Sequence, residues 1–463
     1  MAVQTNAIPT ELGTEKIGRL LKQYALPAII AQTASSIYNM VDSIFIGQGV
    51  GPLAISGLAV TFPLMNLSTA FGTLVGVGAA TMLSVLLGQK NYKAANKVLG
   101  NIVTLNTIIG LVFMAIALIF IDPILHFFGA SENTLPYAKE YISIILIGNV
   151  ITHLYFGLNA AMRSSGNPKK AMGLTIFTVV FNTILDPIFI FVFDMGIAGA
   201  AWATVIAQFA AMIIVLKHFN NKSTPFHFER GMFRLDTRVA KDSLAIGMGP
   251  FLMNAAACLV TLFINQQLGR YSGDLGIGAY GICNRFIFMF IMICMGLNQG
   301  MQPIAGYNYG ARQYSRVKEV FWKTAKLAMV MTTLCFICGM FFSKTAVGIF
   351  THDEELMALG SKALRIMTMV FPIVGFQMIS TNFFQCLGMV NKSIILSLSR
   401  QLLFLLPLLY ILPLWFGADG VWYSFPIADT ISTLLTIFLI LRLFKKFNML
   451  KDGDDPSILG SKL

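Results

Sequence analysis

The chain alternates between long apolar runs and short polar breaks. The runs occupy 18–46, 53–84, 97–121, 137–163, 170–194 and 197–219, and after a longer polar link 241–267, 276–304, 320–343, 356–387, 393–416 and 420–443. A helix needs about 20 apolar residues to cross the hydrocarbon of a bilayer, and runs longer than that must tilt or protrude into water. The pattern therefore predicts an all-α membrane protein with twelve transmembrane helices, numbered here spans 1 to 12. It divides into a first six-helix bundle over 1–219, a link over 220–240, a second bundle over 241–445 and a tail over 446–463. The link, NNKSTPFHFERGMFRLDTR, mixes Phe and Met with basic residues, so it reads either as a strip on the membrane surface or as a hydrated linker. The tail, with Asp452, Asp454 and Asp455, reads as disordered.

Composition supports lipid as the main solvent. Of 463 residues, 56% are hydrophobic and 12% charged, against about 25% charged in a soluble domain. The net charge of +12 does not point to nucleic acid, because the basic residues gather in alternate loops. Lys16, Arg19 and Lys22 lie at the start of span 1. Lys90, Lys93 and Lys97 follow span 2, and Arg163, Lys169 and Lys170 follow span 4. The link, the loop after span 8 (Arg312, Arg316, Lys318) and the end of span 12 (Arg442, Lys445, Lys446) are basic as well. The other loops hold few basic residues and most of the loop acids. This alternation places both termini in the cytoplasm. The N-terminus lacks the short apolar core and small-residue cleavage site of a signal peptide. Cys335 and Cys338 form a CxxC, but inside the apolar run MVMTTLCFICGMFF, which reads as helix packing rather than metal or redox chemistry.

The two halves repeat at an offset of about 222 residues. GQKNYKAANKV from Gly88 matches GARQYSRVKEV from Gly310, and RSSGNPKKAM around Gly166 matches QCLGMVNKSI around Gly388. Pro27 falls opposite Pro250, and Gln208 opposite Asp429. An even number of spans per half makes the repeats parallel, related by a pseudo-twofold axis along the membrane normal. That is a common transporter architecture, although channels and membrane enzymes can also be duplicated.

Ionisable residues inside apolar runs are the informative exceptions. Asp42 lies in span 1 (SSIYNMVDSIFIG) and Asp186 in span 5 (VVFNTILDPIFIF). Asn182, four residues before Asp186, shares its helix face, and Pro187 should kink the backbone and free a carbonyl. Thr204 in span 6 and Asn159 in span 4 complete a set of oxygen-bearing side chains. Such a set suits Na⁺ or a proton shared between two carboxylates; the alternative is a hydrogen-bond network that only holds the fold. The repeat places Asn265 opposite Asp42 and about Leu408 opposite Asp186, so the acids belong to the first half alone. In the second half Arg285 on span 8 lines a substrate cavity, pairs with an acid or lies near a wet edge, and Met289, Met292 and Met295 on the same span form an adaptable face toward that cavity or face lipid. Arg400 in span 11 and Asp429 in span 12 are its other charged exceptions. His153 in span 4 reads as a buried, hydrogen-bonded residue.

The two-times-six layout, YNMVDSIFIG, RSSGNPKKAM, NTILDPIFI followed by GIAGAAWAT, and GYNYGARQ together resemble the multidrug and toxic compound extrusion (MATE) transporters, nearest to the prokaryotic MepA-like and DinF-like branch. The likeness runs through essentially the whole chain. It implies V-shaped lobes in a prokaryotic inner membrane, acting as a monomer that exports organic cations or amphipathic drugs in exchange for Na⁺ or H⁺, with no cofactor beyond that ion. It implies a cation site at Asp42, Asn182, Asp186 and Thr204, supported by Asn159, with Pro27 as a hinge. The chain departs from the NorM-like pattern, which places acids on spans 7 and 10: Asn265 stands in span 7 and no acid lies within span 10. Two other functions remain open on the sequence. One is a flippase for lipid-linked saccharides, as in the related superfamily. The other is a membrane enzyme such as a prenyltransferase, whose acidic metal clusters have weak counterparts here in HDEE from His352 and the tail aspartates.

Overall fold

A computed structural model describes residues 10–222, 226–229 and 231–459, excluding the side chains of Asn39, Met40, Pro52, Asp274 and Ile458; Arg230, one of the basic residues of the link, lies outside them. The spans are helices at Ile17–Gly49, Pro52–Gly88, Tyr92–Ile119, Leu135–Ile147 with Asn149–Ser164, Pro168–Val192 and Gly196–Asn220 in the first half. Those of the second half are Thr237–Gly273, Leu275–Gly310, Tyr314–Phe341, Glu354–Thr368 with Phe371–Cys386, Val390–Phe416 and Ala418–Phe447. Among the described residues nine helices are long and apolar enough to cross a membrane, and the two bent pairs bring the number to eleven. The remaining one, span 1, has 33 residues. Its length is sufficient, but Gln32, Thr33, Ser35, Ser36, Asp42 and Ser43 make it more polar than the rest.

The repeat is visible in the backbone. Lys90 and Arg312 both adopt positive φ, at 58° and 57°, in matching turns before spans 3 and 9. Positive-φ glycines also pair across the halves: Gly51 with Gly273, Gly166 with Gly388, and Gly196 with Gly417. Spans 4 and 10 bend by 53° and 54° at equivalent points. Turns and bends that coincide at nearly one offset reflect duplication of a whole bundle rather than chance similarity of apolar sequence.

The chain forms two compact units, and each borrows the start of the other half's first helix. Among the described residues unit 1 holds those within 10–15 and 30–251, and unit 2 those within 16–29 and 252–459. The division therefore falls inside spans 1 and 7, close after Pro27 and Pro250, and not in the 220–240 link. Close packing holds each borrowed segment. In unit 1 a Cβ on Gly247 of span 7 would lie 1.8 Å from the Leu74 carbonyl oxygen of span 2. In unit 2 a Cβ on Gly300 of span 8 would lie 2.4 Å from Ala25 Cα. Gly296 and Gly300 form the small-xxx-small spacing that lets membrane helices approach backbone to backbone.

The link and the tail are straps rather than free segments. After span 6, Phe226 packs on the Tyr92 ring, the Phe233 carbonyl accepts from Thr104 Oγ1 at 2.8 Å, and the Asp236 amide donates to Asn101 Oδ1 at 3.0 Å. The link thus lies along span 3. The tail, expected to be disordered, makes the matching contact with span 9. Ser315 donates from its amide to Asp452 Oδ1 at 2.9 Å and from its hydroxyl to Asp452 Oδ2 at 2.5 Å, and Tyr314 Oη donates to the Asp454 carbonyl at 2.7 Å. The cause is a missing cap. Asn91 caps its own helix, span 3, by accepting from the Ala94 amide at 3.2 Å, whereas its counterpart Gln313 makes no such bond. Asp452 supplies it from a distant part of the chain.

Candidate cation site

Span 5 positions the core of the site. Asn182 and Asp186 follow each other by one turn on its buried face, 2% and 0% exposed. Pro187 has no amide hydrogen to give the Thr183 carbonyl, and the helix widens immediately afterwards into a π-helical turn over Ile188–Val192. Such a turn accommodates the lost bond without ending the span, and π turns are frequent at functional sites. The kink expected at Pro187 thus takes the form of a local widening.

Span 6 packs antiparallel to span 5 and brings Thr204 opposite Asn182. The Asn182 amide is satisfied when its nitrogen faces Asp186, donating to Oδ2 at 2.8 Å and Oδ1 at 3.1 Å. Its carbonyl oxygen then accepts from the Thr204 amide at 2.9 Å and hydroxyl at 3.0 Å. An amide orientation is fixed by such partners rather than by the shape of the side chain. Tyr38 of span 1 joins the chain of bonds through its hydroxyl, 3.0 Å from Thr204 Oγ1.

Asp42 is one turn after Tyr38, so the same face of span 1 points to this layer. It is 6% exposed, and its Oδ1 is buried with no hydrogen-bond partner among the described residues. Asp186 lies within electrostatic reach of Asp42. Tyr38 and the buried Tyr141 of span 4 both lie within reach of the two carboxylates. Buried polar atoms nearly always have partners, so an orphaned carboxylate oxygen within electrostatic reach of a second acid is the unusual feature. A cation or a proton would satisfy it.

Of the residues singled out from sequence, Asn182, Asp186 and Thr204 are therefore joined by hydrogen bonds, and Asp42 lies within electrostatic reach of them. Asn159 does not bond to them. Its Nδ2 donates to the Ala171 carbonyl at 3.1 Å and to Thr175 Oγ1 at 3.4 Å, and Thr175 precedes Asn182 by about 10 Å along the helix. Pro27 lies within span 1 in the part that belongs to unit 2. Arg285 and Met289 are exposed on one face of span 8, Met289 by 61%, and Met292 is half-buried. His153 is buried and donates from Nε2 to the Ser68 carbonyl at 2.9 Å. Cys335 and Cys338 are free thiols, and no group of three or more His, Cys, Asp or Glu able to hold a metal occurs among the described residues.

Tyr38 and Tyr141 are not among the residues that sequence reasoning selects. The spacing that pairs Asn182 with Asp186 applies equally to Tyr38 and Asp42, so Tyr38 is within reach of the same rule. Tyr141 has no local signal, since it enters the layer only through the packing of span 4.

Comparison with known proteins agrees with this architecture. The MatE family profile matches residues 27–188 and again 250–411, once in each half. The multidrug export protein MepA of Staphylococcus haemolyticus is 28% identical over 427 residues, covering 92% of this chain and 94% of its own. The structure of the MATE multidrug transporter DinF-BH is 36% identical with a TM-score of 0.88, covering 97% of this chain and 100% of that one. A MATE crystal structure in the bent conformation has a TM-score of 0.90 at 21% identity over 97% of this chain and 99% of its own, a likeness of fold.

Proposed function

Because the chain belongs to the MatE family of membrane transporters, we propose that it is a multidrug efflux antiporter that exports cationic or amphipathic small molecules in exchange for Na⁺ or H⁺ at the Asp42–Asp186 layer. The observation that carries this reading is the orphaned, buried oxygen of Asp42 within electrostatic reach of Asp186, with Asn182, Thr204 and Tyr38 oriented by one another. The relatives MepA and DinF-BH, a multidrug export protein and a multidrug transporter, support the substrate class.

Two carboxylates in a low-dielectric layer repel when both are charged. An incoming cation removes that repulsion, and the layer can then close around it. Asn182 is the element that transmits the change, because it bonds Asp186 on one side and Thr204 on the other. Coupling requires that the ion bind one conformation of unit 1 more tightly than the other. The basic alternate loops support an orientation with both termini in the cytoplasm of a prokaryotic cell.

The test is efflux of a fluorescent organic cation from vesicles in which Na⁺ and pH gradients are imposed separately. One of the gradients should drive efflux, and Asp42→Asn and Asp186→Asn should each abolish the response while the protein still inserts. Gradient-driven efflux persisting in both variants would overturn the assignment.

A further inference from the structure

Among the described residues unit 2 contains one buried carboxylate of its own within the spans, and it is already neutralised. Asp429 of span 12 has a side chain only 4% exposed, and Arg400 of span 11 donates from Nε to its Oδ1 at 2.5 Å. Arg400 sits in the first turn of a π-helical stretch, Ser399–Leu405. Its side chain is 28% exposed, so the pair lies at the edge of the packed interior and not in the open.

The repeat gives this pair a place relative to the cation layer. Arg400 falls opposite Thr178 and Asp429 opposite Gln208. Thr178 is one turn before Asn182, and Gln208 is one turn after Thr204. Spans 5 and 6 run antiparallel, so both displacements are toward the same end of the bundle. Within its own repeat, the ion pair of unit 2 therefore stands about 6 Å, one helical turn, from the positions that correspond to the acid layer of unit 1. At those corresponding positions unit 2 is apolar, with Phe404, Leu408 and Phe425 packed against its core. Tyr280 stacks on Phe425 one turn before Asp429, and Cys283 is buried in the same cluster; both side chains ordinarily remain neutral near pH 7. Arg400 is thus the cation that answers Asp429.

A buried carboxylate in a membrane helix needs a proton, an ion or a fixed counter-charge. The two units meet the same requirement in different ways: an orphaned oxygen in unit 1, and a guanidinium attached to the chain in unit 2. We infer that Arg400 is a tethered counter-cation that keeps unit 2 from taking up a coupling ion, so that ion exchange is confined to the Asp42–Asp186 layer. The inference rests on the reading of that layer as the coupling site. It assigns Arg400 a positioning and specificity role, since it excludes an ion from Asp429 rather than binding the transported drug.

The test uses the purified full-length protein and reads Na⁺- and pH-dependent thermal stabilisation, which requires no transport. In an Asp42→Asn/Asp186→Asn background the stabilisation should be lost. Adding Arg400→Gln should restore it by exposing Asp429, and adding Asp429→Asn should remove it again. In efflux, Arg400→Gln alone should acquire a new ion requirement, with a fall of at least about tenfold at low ion concentration that saturating ion reverses. If Arg400→Gln restores no ion response, or if one restored survives Asp429→Asn, the inference is overturned. Should Arg400→Gln be too unstable to purify, Asp429→Asn alone decides. It must retain the wild-type ion dependence, and a change in that dependence would show that Asp429 takes part in coupling. Failure of the first step, with stabilisation persisting in the double aspartate variant, would instead count against the Asp42–Asp186 layer.

Discussion

Spans 5 and 6 and spans 11 and 12 are copies of one helical pair, yet they have opposite interiors at corresponding positions. In unit 1 Asn182, Asp186 and Thr204 form a hydrogen-bonded polar layer joined by Tyr38. In unit 2 the equivalent positions are Phe404, Leu408 and Phe425, which pack into the apolar core. The fifth helix of each half holds a π turn, but not at corresponding positions: it falls at Ile188–Val192 in one and Ser399–Leu405 in the other, about 11 residues out of register at the repeat offset. Duplication supplied the frame, and side-chain divergence decided which frame handles charge.

The largest expected effect tests the polar side of this contrast. Asp186→Asn or Asp42→Asn should lower gradient-driven efflux by at least about a hundredfold with membrane abundance within about twofold of wild type, checked by vesicle efflux and immunoblot. Asn182→Ala should fall less, by roughly tenfold, because it leaves both acids but removes the link to Thr204; about 1.4 kcal/mol corresponds to that factor. Efflux unchanged in Asn182→Ala would mean that the amide is only a strut.

The apolar side is tested by importing an acid. Leu408→Asp places a carboxylate at the position equivalent to Asp186 with no amide beside it. Insertion scales put that at roughly 2.5–3.5 kcal/mol for a central position, so folded protein in the membrane should drop severalfold. Normal abundance would show that unit 2 tolerates charge there, and the contrast between the halves would weaken.

The smallest effect concerns the two matching helix caps. Asn91→Ala removes the local cap of span 3, and Asp452→Ala removes the cap that the tail supplies to span 9. Each should cost about 1 kcal/mol, read as a similar fall in melting temperature. Burial tends to raise the Asp452 carboxyl, but the bonds from the Ser315 hydroxyl and amide outweigh it and hold the group below its ordinary value. Its contribution is therefore complete above the ordinary carboxylate range and disappears as pH falls through the lower folded value. Above about pH 5 the Asp452→Ala destabilisation should be constant, and below about pH 4 it should shrink. The Asn91→Ala effect should not vary with pH.

Much of the site is readable because helices impose a strict periodicity. Asn182 and Asp186 share a face at a spacing of four, and a charged residue within an apolar run announces itself by its cost. The same cost marks Asp42, and the same spacing, carried one turn back, leads to Tyr38. Asn159 groups with the site on sequence because it is polar and lies in the right run, and the structure bonds it instead to Ala171 and Thr175. Sequence spacing fixes which face of its own helix a residue occupies, but not the depth at which a neighbouring helix meets it. The tail misleads for a related reason: three aspartates in a polar run look solvated until a helix lacking its own cap is found beside them.

The sequence by itself determined the solvent, the order of the apolar runs, the duplication and the half that carries the acids, since these depend on hydrophobicity and on local period. Only the tertiary structure decided that Tyr38 and Tyr141 lie within electrostatic reach of the carboxylates, that Arg400 answers Asp429, and that spans 1 and 7 change units near their prolines. These follow from packing between helices far apart in the chain. Close approach at glycines and the register of antiparallel spans set those contacts, and neither is encoded in the pattern of any single run.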